Sequence, residues 1–180
     1  MLYSGCGEGN ESMTRVTLRY GILSVILAWS LNGIVYGQAA DKDRPARGAE
    51  QVIVFVCEHG AAKSIIAAAY FNKLAGERNL SYRAIARGTT PQEQISASAA
   101  KGLEADGLTA TEQKPVGLTN RDIRGAVRVV AFCSLPEEFH KSVPVEEWND
   151  VPTVSDDYSK ARDTIVEHVK RLLDELESKK

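Results

Sequence analysis

With 180 residues, the chain has room for one domain of roughly 100–150 residues plus an extension. Its hydrophobic content of 43% and charged content of 26% are ordinary for a soluble globular protein. A formal net charge of −2 excludes a global field that would draw nucleic acid, and there is no internal repeat or low-complexity tract.

The first fifty residues differ from the rest. Met13-Thr-Arg-Val-Thr-Leu-Arg19 carries two arginines and no acid. Tyr20 to Tyr36 is almost wholly apolar and small, Gly37-Gln-Ala-Ala40 offers small residues, and polar Asp41 to Glu50 follows. That order is the one found in a secretory signal peptide. Residues 1–40 are therefore expected to be an export signal, and the residues before Met13 read as a misplaced upstream start. Residues 41–50, with Pro45 and Gly48, read as a linker, and 51–180 as the working domain. The expected location is periplasmic or secreted. The apolar run is short for a free-standing span of about 20 residues. Left uncleaved, it would anchor the chain in the inner membrane, the one route to a membrane here. A cytosolic start further along is the third reading. Export would remove Cys6 and leave Cys57 and Cys133 where disulfides persist. Two thiols are too few for a disulfide scaffold, and no Cys/His cluster has zinc spacing. Neither a metal nor a cofactor is expected.

Gln51 to Cys57 is a continuous apolar, β-branched run, as for a strand buried on both faces. Lys63 to about Arg78 reads as a helix with Ile66, Tyr70 and Leu74 on one stripe, flanked by Ala67 and Phe71. Ser81 to Ala86 is a shorter strand, and Gly88-Thr-Thr-Pro91 a turn. Ser96 to Asp106 is a second helix closed by Gly107. Thr119-Asn-Arg-Asp predicts a cap and a short helix. Val127 to Cys133 is a third strand, and a weak fourth lies near Val143 to Glu147. A last helix runs from about Ser159 to Ser178, with Ala161, Ile165, Val169, Leu172 and Leu176 on one face. Alternating strands and helices predict an α/β fold, a three-layer sandwich with a parallel sheet covered by helices on both faces. Ligands of such sheets bind at the carboxyl ends of the strands. Cys57 and Cys133 are expected at two such ends, about 4.8 Å apart if the strands are neighbours.

The richest segment is Val52 to Ser64, V-I-V-F-V-C-E-H-G-A-A-K-S. A strand, a tight loop and a helix start bring backbone N–H groups and the positive end of a helix dipole to one point. A thiol there is expected to have a depressed pKa. Cys57 is thus the expected nucleophile, beside an anion cradle formed by Glu58, His59, Gly60, Ala61, Ala62 and Lys63.

C-E-H-G-A-A-K-S resembles the C-x5-R-S phosphate loop of the low-molecular-weight protein tyrosine phosphatases and the related thioredoxin-coupled arsenate reductases. Ala86-Arg-Gly-Thr-Thr-Pro91, Gly102 to Leu108 and Lys114 to Leu118 are similar to segments of the arsenate-reductase branch. Val127 to Cys133 is similar to that branch's third strand. Trp148-Asn-Asp-Val-Pro152 looks like the acid loop. The resemblance implies a four-stranded parallel sheet of order 2-1-3-4. It also implies a loop cysteine that forms a cysteinyl-phosphate, a loop cation on the phosphoryl oxygens, a serine bonded to the thiolate, and an aspartic acid for the leaving group. By position these are Cys57, Lys63, Ser64 and Asp150.

The pattern is broken in places. Lys63 stands where the family has arginine, so the charge is kept and the planar two-point grip is lost. Gly60 takes the place of a structural asparagine, and His59 that of a glycine; His59 lines the mouth or is simply an exposed loop residue. Asp156 and Asp157 compete with Asp150 as the acid, or are helix-start acids. Tyr158 covers the last helix or stacks on a substrate ring. Cys133 matches the second thiol of the arsenate reductases, but no third cysteine follows. It is either a redox partner of Cys57 or a buried strand-end residue. The leading expectation is a phosphomonoester hydrolase, protein-tyrosine-phosphatase-like and weakened by Lys63. An arsenate-reductase-like thiol enzyme and a noncatalytic oxyanion-binding domain are the alternatives. Phosphate, arsenate or a phosphorylated substrate is the expected partner, with no nucleic acid, and the chain is expected to act as a monomer.

Overall fold

The computed structural model describes residues 50–179. The expected export signal at 1–40 lies outside the described residues, as does all of the linker but Glu50. In chain order the elements are β1 (Gln51–Cys57), α1 (Lys63–Glu77), β2 (Tyr82–Gly88), α2 (Ala97–Ala105), α3 (Asn120–Gly125), β3 (Ala126–Ala131), α4 (Glu137–His140), β4 (Val145–Glu147) and α5 (Tyr158–Ser178). The four strands form one parallel sheet of order β2-β1-β3-β4.

Alternation along the central strand sorts the core into two layers. Ile53, Phe55 and Cys57 join the cluster built with α1, α2 and α5, while Val54 and Val56 join Ile123 of α3, Leu135 and Val143 on the other face. The helix ends follow their sequence signals. Ser96 caps α2 by accepting from Ala99 N–H at 3.2 Å, and Gly107 follows its end at φ 68°. Thr119 and Asp122 form a reciprocal capping box on α3.

Two boundaries move and one short helix is added. β2 runs on to Gly88, because Cys57 pairs with it in register. α4, four residues long, carries no periodic signal. β3 ends at Ala131: the ladder closes with Phe132 N–H donating to Val56 O at 2.8 Å. Cys133 therefore lies past the strand, in the loop that follows, rather than at the strand's end.

Candidate active site

β1 delivers Cys57 to the carboxyl edge of the sheet, and α1 begins at Lys63. Between them the carbonyls of the loop are taken from outside. Thr89, Thr90, Gln92 and Ser96 donate their N–H groups to Cys57, Glu58, His59 and Ala61 O, at 3.2, 2.7, 3.1 and 2.9 Å. Among the described residues, no N–H from Glu58 to Ser64 finds an acceptor. The loop thus presents a run of unspent donors, as an anion nest requires. The first turn of α1 holds no acid, and its Ala62 cap offers no side-chain acceptor, so no residue of the helix start itself offsets the positive end of its dipole.

The collar from Gly88 to Ser96 can press this close because two glycines meet. Gly60 has φ 61°, and a Cβ on it would lie 2.9 Å from Gly88 N; a Cβ on Gly88 would lie 2.6 Å from Gly60 N. Gly60's freedom of φ was legible in the sequence, but the crossing with Gly88 was not.

Ser64 is fully buried, and its Oγ lies 3.1 Å from Cys57 Sγ. Either atom can donate in this contact; were the sulfur a thiolate, it could only accept and the hydroxyl would donate. A cavity of about 370 Å³ opens over this pair. Glu58, His59, Ala62 and Lys63 line it from the loop, Gln92 and Ser96 from the collar, Phe132 and Cys133 from the loop after β3, and Thr153, Val154 and Ser155 from the approach to α5. Lys63 Nζ donates to Val151 O at 2.6 Å. His59 Nδ1 makes only a long 3.4 Å contact with Thr90 O. Gly60 and Ala61 are buried behind the loop, where the collar packs.

Cys133 is half-buried on the cavity wall, and both cysteines are free thiols. Burial pushes the Cys133 thiol above its ordinary value, and the neighbouring Cys57 and Glu58 charges push it the same way.

The aspartates do not converge on the cavity. Asp150 is 62% exposed, does not line the cavity and accepts from His168 Nε2 at 2.8 and 2.9 Å. Arg171 donates to His168 Nδ1 at 2.7 Å, so the ring proton sits on Nε2 and points at Asp150. That ring stacks on buried Trp148 with centroids 4.6 Å apart. The His168 hydrogen bond holds the Asp150 carboxyl below its ordinary pKa. Asp157 caps α5, accepting from Lys160 N–H, and Asp156 accepts from Ser155 Oγ at 3.3 Å. Tyr158 lies against Gly102 and donates to Asp106 at 2.6 Å, so it fastens α5 to α2. Among the described residues, no group of three His, Cys, Asp or Glu side chains is arranged to hold a metal.

No family model matches the sequence, and no curated protein matches it. Solved structures do match in shape. YfkJ from Bacillus subtilis superposes with TM-score 0.63 over 74% of this chain and 99% of its own, at 17% identity. The low-molecular-weight protein tyrosine phosphatase from T. tengcongensis gives 0.58 over 69% and 99%, at 18% identity. The arsenate reductase from Archaeoglobus fulgidus DSM 4304 gives 0.53 over 67% and 97%, at 27% identity. With its sheet order and its strand–loop–helix at Cys57, the chain has the fold of the low-molecular-weight phosphatase and arsenate reductase superfamily.

Proposed function

We propose that the domain is a phosphomonoester hydrolase working through a cysteinyl-phosphate on Cys57. The observation that carries this reading is the 3.1 Å contact of Cys57 Sγ with buried Ser64 Oγ, at the floor of a loop whose N–H groups are unspent. A tetrahedral anion in the loop would place phosphorus in reach of the sulfur. The S–P bond forms as the ester P–O bond breaks, and the departing oxygen leaves with the bonding pair and takes its proton from water. Water then attacks phosphorus, the S–P bond breaks, and the thiolate returns with release of phosphate. Lys63 supplies positive charge at the rim. Asp150 is bonded to His168 away from the cavity, and among the described residues no aspartate lines it. Esters that release a stable phenolate are therefore the favoured substrates.

Hydrolysis of an aryl phosphate by the reduced protein tests the reading. Turnover that vanishes in Cys57→Ser supports it, and turnover that survives in Cys57→Ser rules it out. The export signal read at residues 1–40 would put this chemistry outside the cytoplasm, a proposal that signal-peptide cleavage and fractionation can check.

Cys133 on the same cavity wall favours a second reading, arsenate reduction. Cys57 would displace hydroxide from arsenate to form a thiol–arsenate adduct, and Cys133 would attack the Cys57 sulfur. The S–As bond would break with its electron pair going to arsenic, leaving arsenite and a Cys57–Cys133 disulfide. An external dithiol would then restore both thiols. Arsenate reduction undiminished in Cys133→Ala would contradict this relay.

A further inference from the structure

Trp148 N–H closes the β3–β4 edge by donating to Ala131 O at 2.8 Å, and α5 begins at Tyr158. The segment between, Asn149 to Asp156, supplies one cavity wall through Thr153, Val154 and Ser155. Asp156 N–H reaches Thr153 O within it at 3.3 Å, and Asp157 N–H, at the cap of α5, reaches the same oxygen at 3.4 Å. Among the described residues, one further hydrogen bond joins this backbone to the rest of the fold, the 2.6 Å bond from Lys63 Nζ to Val151 O. Buried Val151 and Val154 anchor the segment on either side, and Pro152 stiffens the chain between them.

An ammonium carries three N–H donors, and one spent on Val151 O leaves two. A free lysine would lose rotamer entropy when it gripped an anion. One already fixed by a carbonyl has met part of that cost on folding. We propose that Val151 is a positioning residue: its carbonyl holds the Lys63 ammonium at the rim of the anion loop, so that anion binding and the order of the Asn149–Asp156 segment are coupled. The inference rests on the oxyanion-binding reading of the site. The carbonyl fixes the direction from which the charge meets the anion, as the planar fork of an arginine would. Coupling is reciprocal. An anion that engages Lys63 steadies the segment, and loosening the segment weakens the anion's hold.

Hydrogen exchange of the full chain, read by mass spectrometry with and without inorganic phosphate, tests this. Calorimetric titration of phosphate runs beside it. Saturating phosphate is expected to slow exchange across Asn149–Asp156 several-fold, with the middle of α5 unchanged. In Lys63→Met the segment exchanges faster and no longer responds. Pro152→Gly loosens the segment without altering a cavity-lining side chain, and its phosphate Kd is expected to rise several-fold; it carries the test if Lys63→Met fails to fold. Phosphate that protects Cys57–Ser64 but leaves Asn149–Asp156 untouched overturns the proposal and spares the anion site. So does an unchanged Kd in Pro152→Gly. A parent chain that binds no phosphate overturns both.

Discussion

At the residue scale, the site turns on which atoms point at the Cys57 sulfur. Ser64 has no competing partner, being fully buried with its Oγ on Cys57. A hydrogen bond to a charged acceptor contributes about 1.5–3 kcal/mol, so Ser64→Ala should slow phosphoenzyme formation by roughly ten- to a hundredfold with little change in fold, measured by stopped-flow release of an aryl leaving group. Asp150 should behave otherwise. Its bond to His168 fastens the approach to α5, so Asp150→Asn is expected to leave the rate of Cys57 phosphorylation near that of the parent. Its depressed pKa makes this contact a stabilising one above the ordinary aspartate value, fading as pH falls through the folded one. A thermal-melt series from pH 7 to pH 3 should therefore show Asp150→Asn and parent converging at the acid end. A rate collapse in Asp150→Asn would make the carboxylate the acid after all. The sequence made Cys57, Lys63 and Ser64 legible because they are contiguous in one loop motif. It could not show that Lys63 would spend a donor on Val151, 88 positions along the chain.

At the element scale, the loop is shaped by what surrounds it. β2 is an edge strand, and edge N–H groups invite pairing with another chain. Here they are occupied. Asn72 of α1 both accepts from Ala84 N–H at 2.6 Å and donates to Ala84 O at 3.0 Å. Glu112 accepts from Ala86 N–H at 2.9 Å, and Gly88 N–H reaches Val116 O at 2.9 Å. Asn72→Ala would leave a part-buried donor unmet and should cost about 1–3 kcal/mol in chemical denaturation. Arg87 stands on the same strand between Glu112 and Asp122, at 3.3 and 3.1 Å. Burial pushes Asp122 upward, but the Arg87 and Thr119 hydrogen bonds outweigh it and hold the carboxyl low. The strands, the helices and both caps were readable from period and capping residues. α4 and the end of β3 were not: four residues are too few to show a period, and the apolar run continues through Phe132 into Cys133 although pairing stops at Ala131.

At the scale of the whole molecule, one carboxylate ties together the helices on one face of the sheet. Asp106, at the end of α2, accepts from Tyr70 of α1 at 2.7 Å, from Tyr158 of α5 at 2.6 Å and from Arg162 of α5 at 2.9 Å. Burial works against its charge, but the two hydroxyls and the guanidinium prevail and keep its pKa below the ordinary range. Burial and this same carboxylate raise Tyr70 to about 12. A carboxyl depressed on folding adds stability above its unfolded pKa of about 3.9 and surrenders it as pH falls through the folded value. Asp106→Asn should therefore unfold more readily than the parent at neutral pH, by about 1–3 kcal/mol, with the gap closing below about pH 4. In the sequence Tyr70 reads as part of an apolar stripe and Tyr158 as a cover for the last helix or a substrate stack, and only the packed fold brings them together on Asp106.

Intact-mass measurement of the reduced chain, mixed with an aryl phosphate and quenched in acid, tests most directly whether Cys57 is a nucleophile. One phosphoryl group should appear on the peptide that contains Cys57, and it should be missing from Cys57→Ala. A chain that releases phosphate with that peptide unmodified at every quench time, or that carries the phosphoryl group elsewhere, would contradict the account.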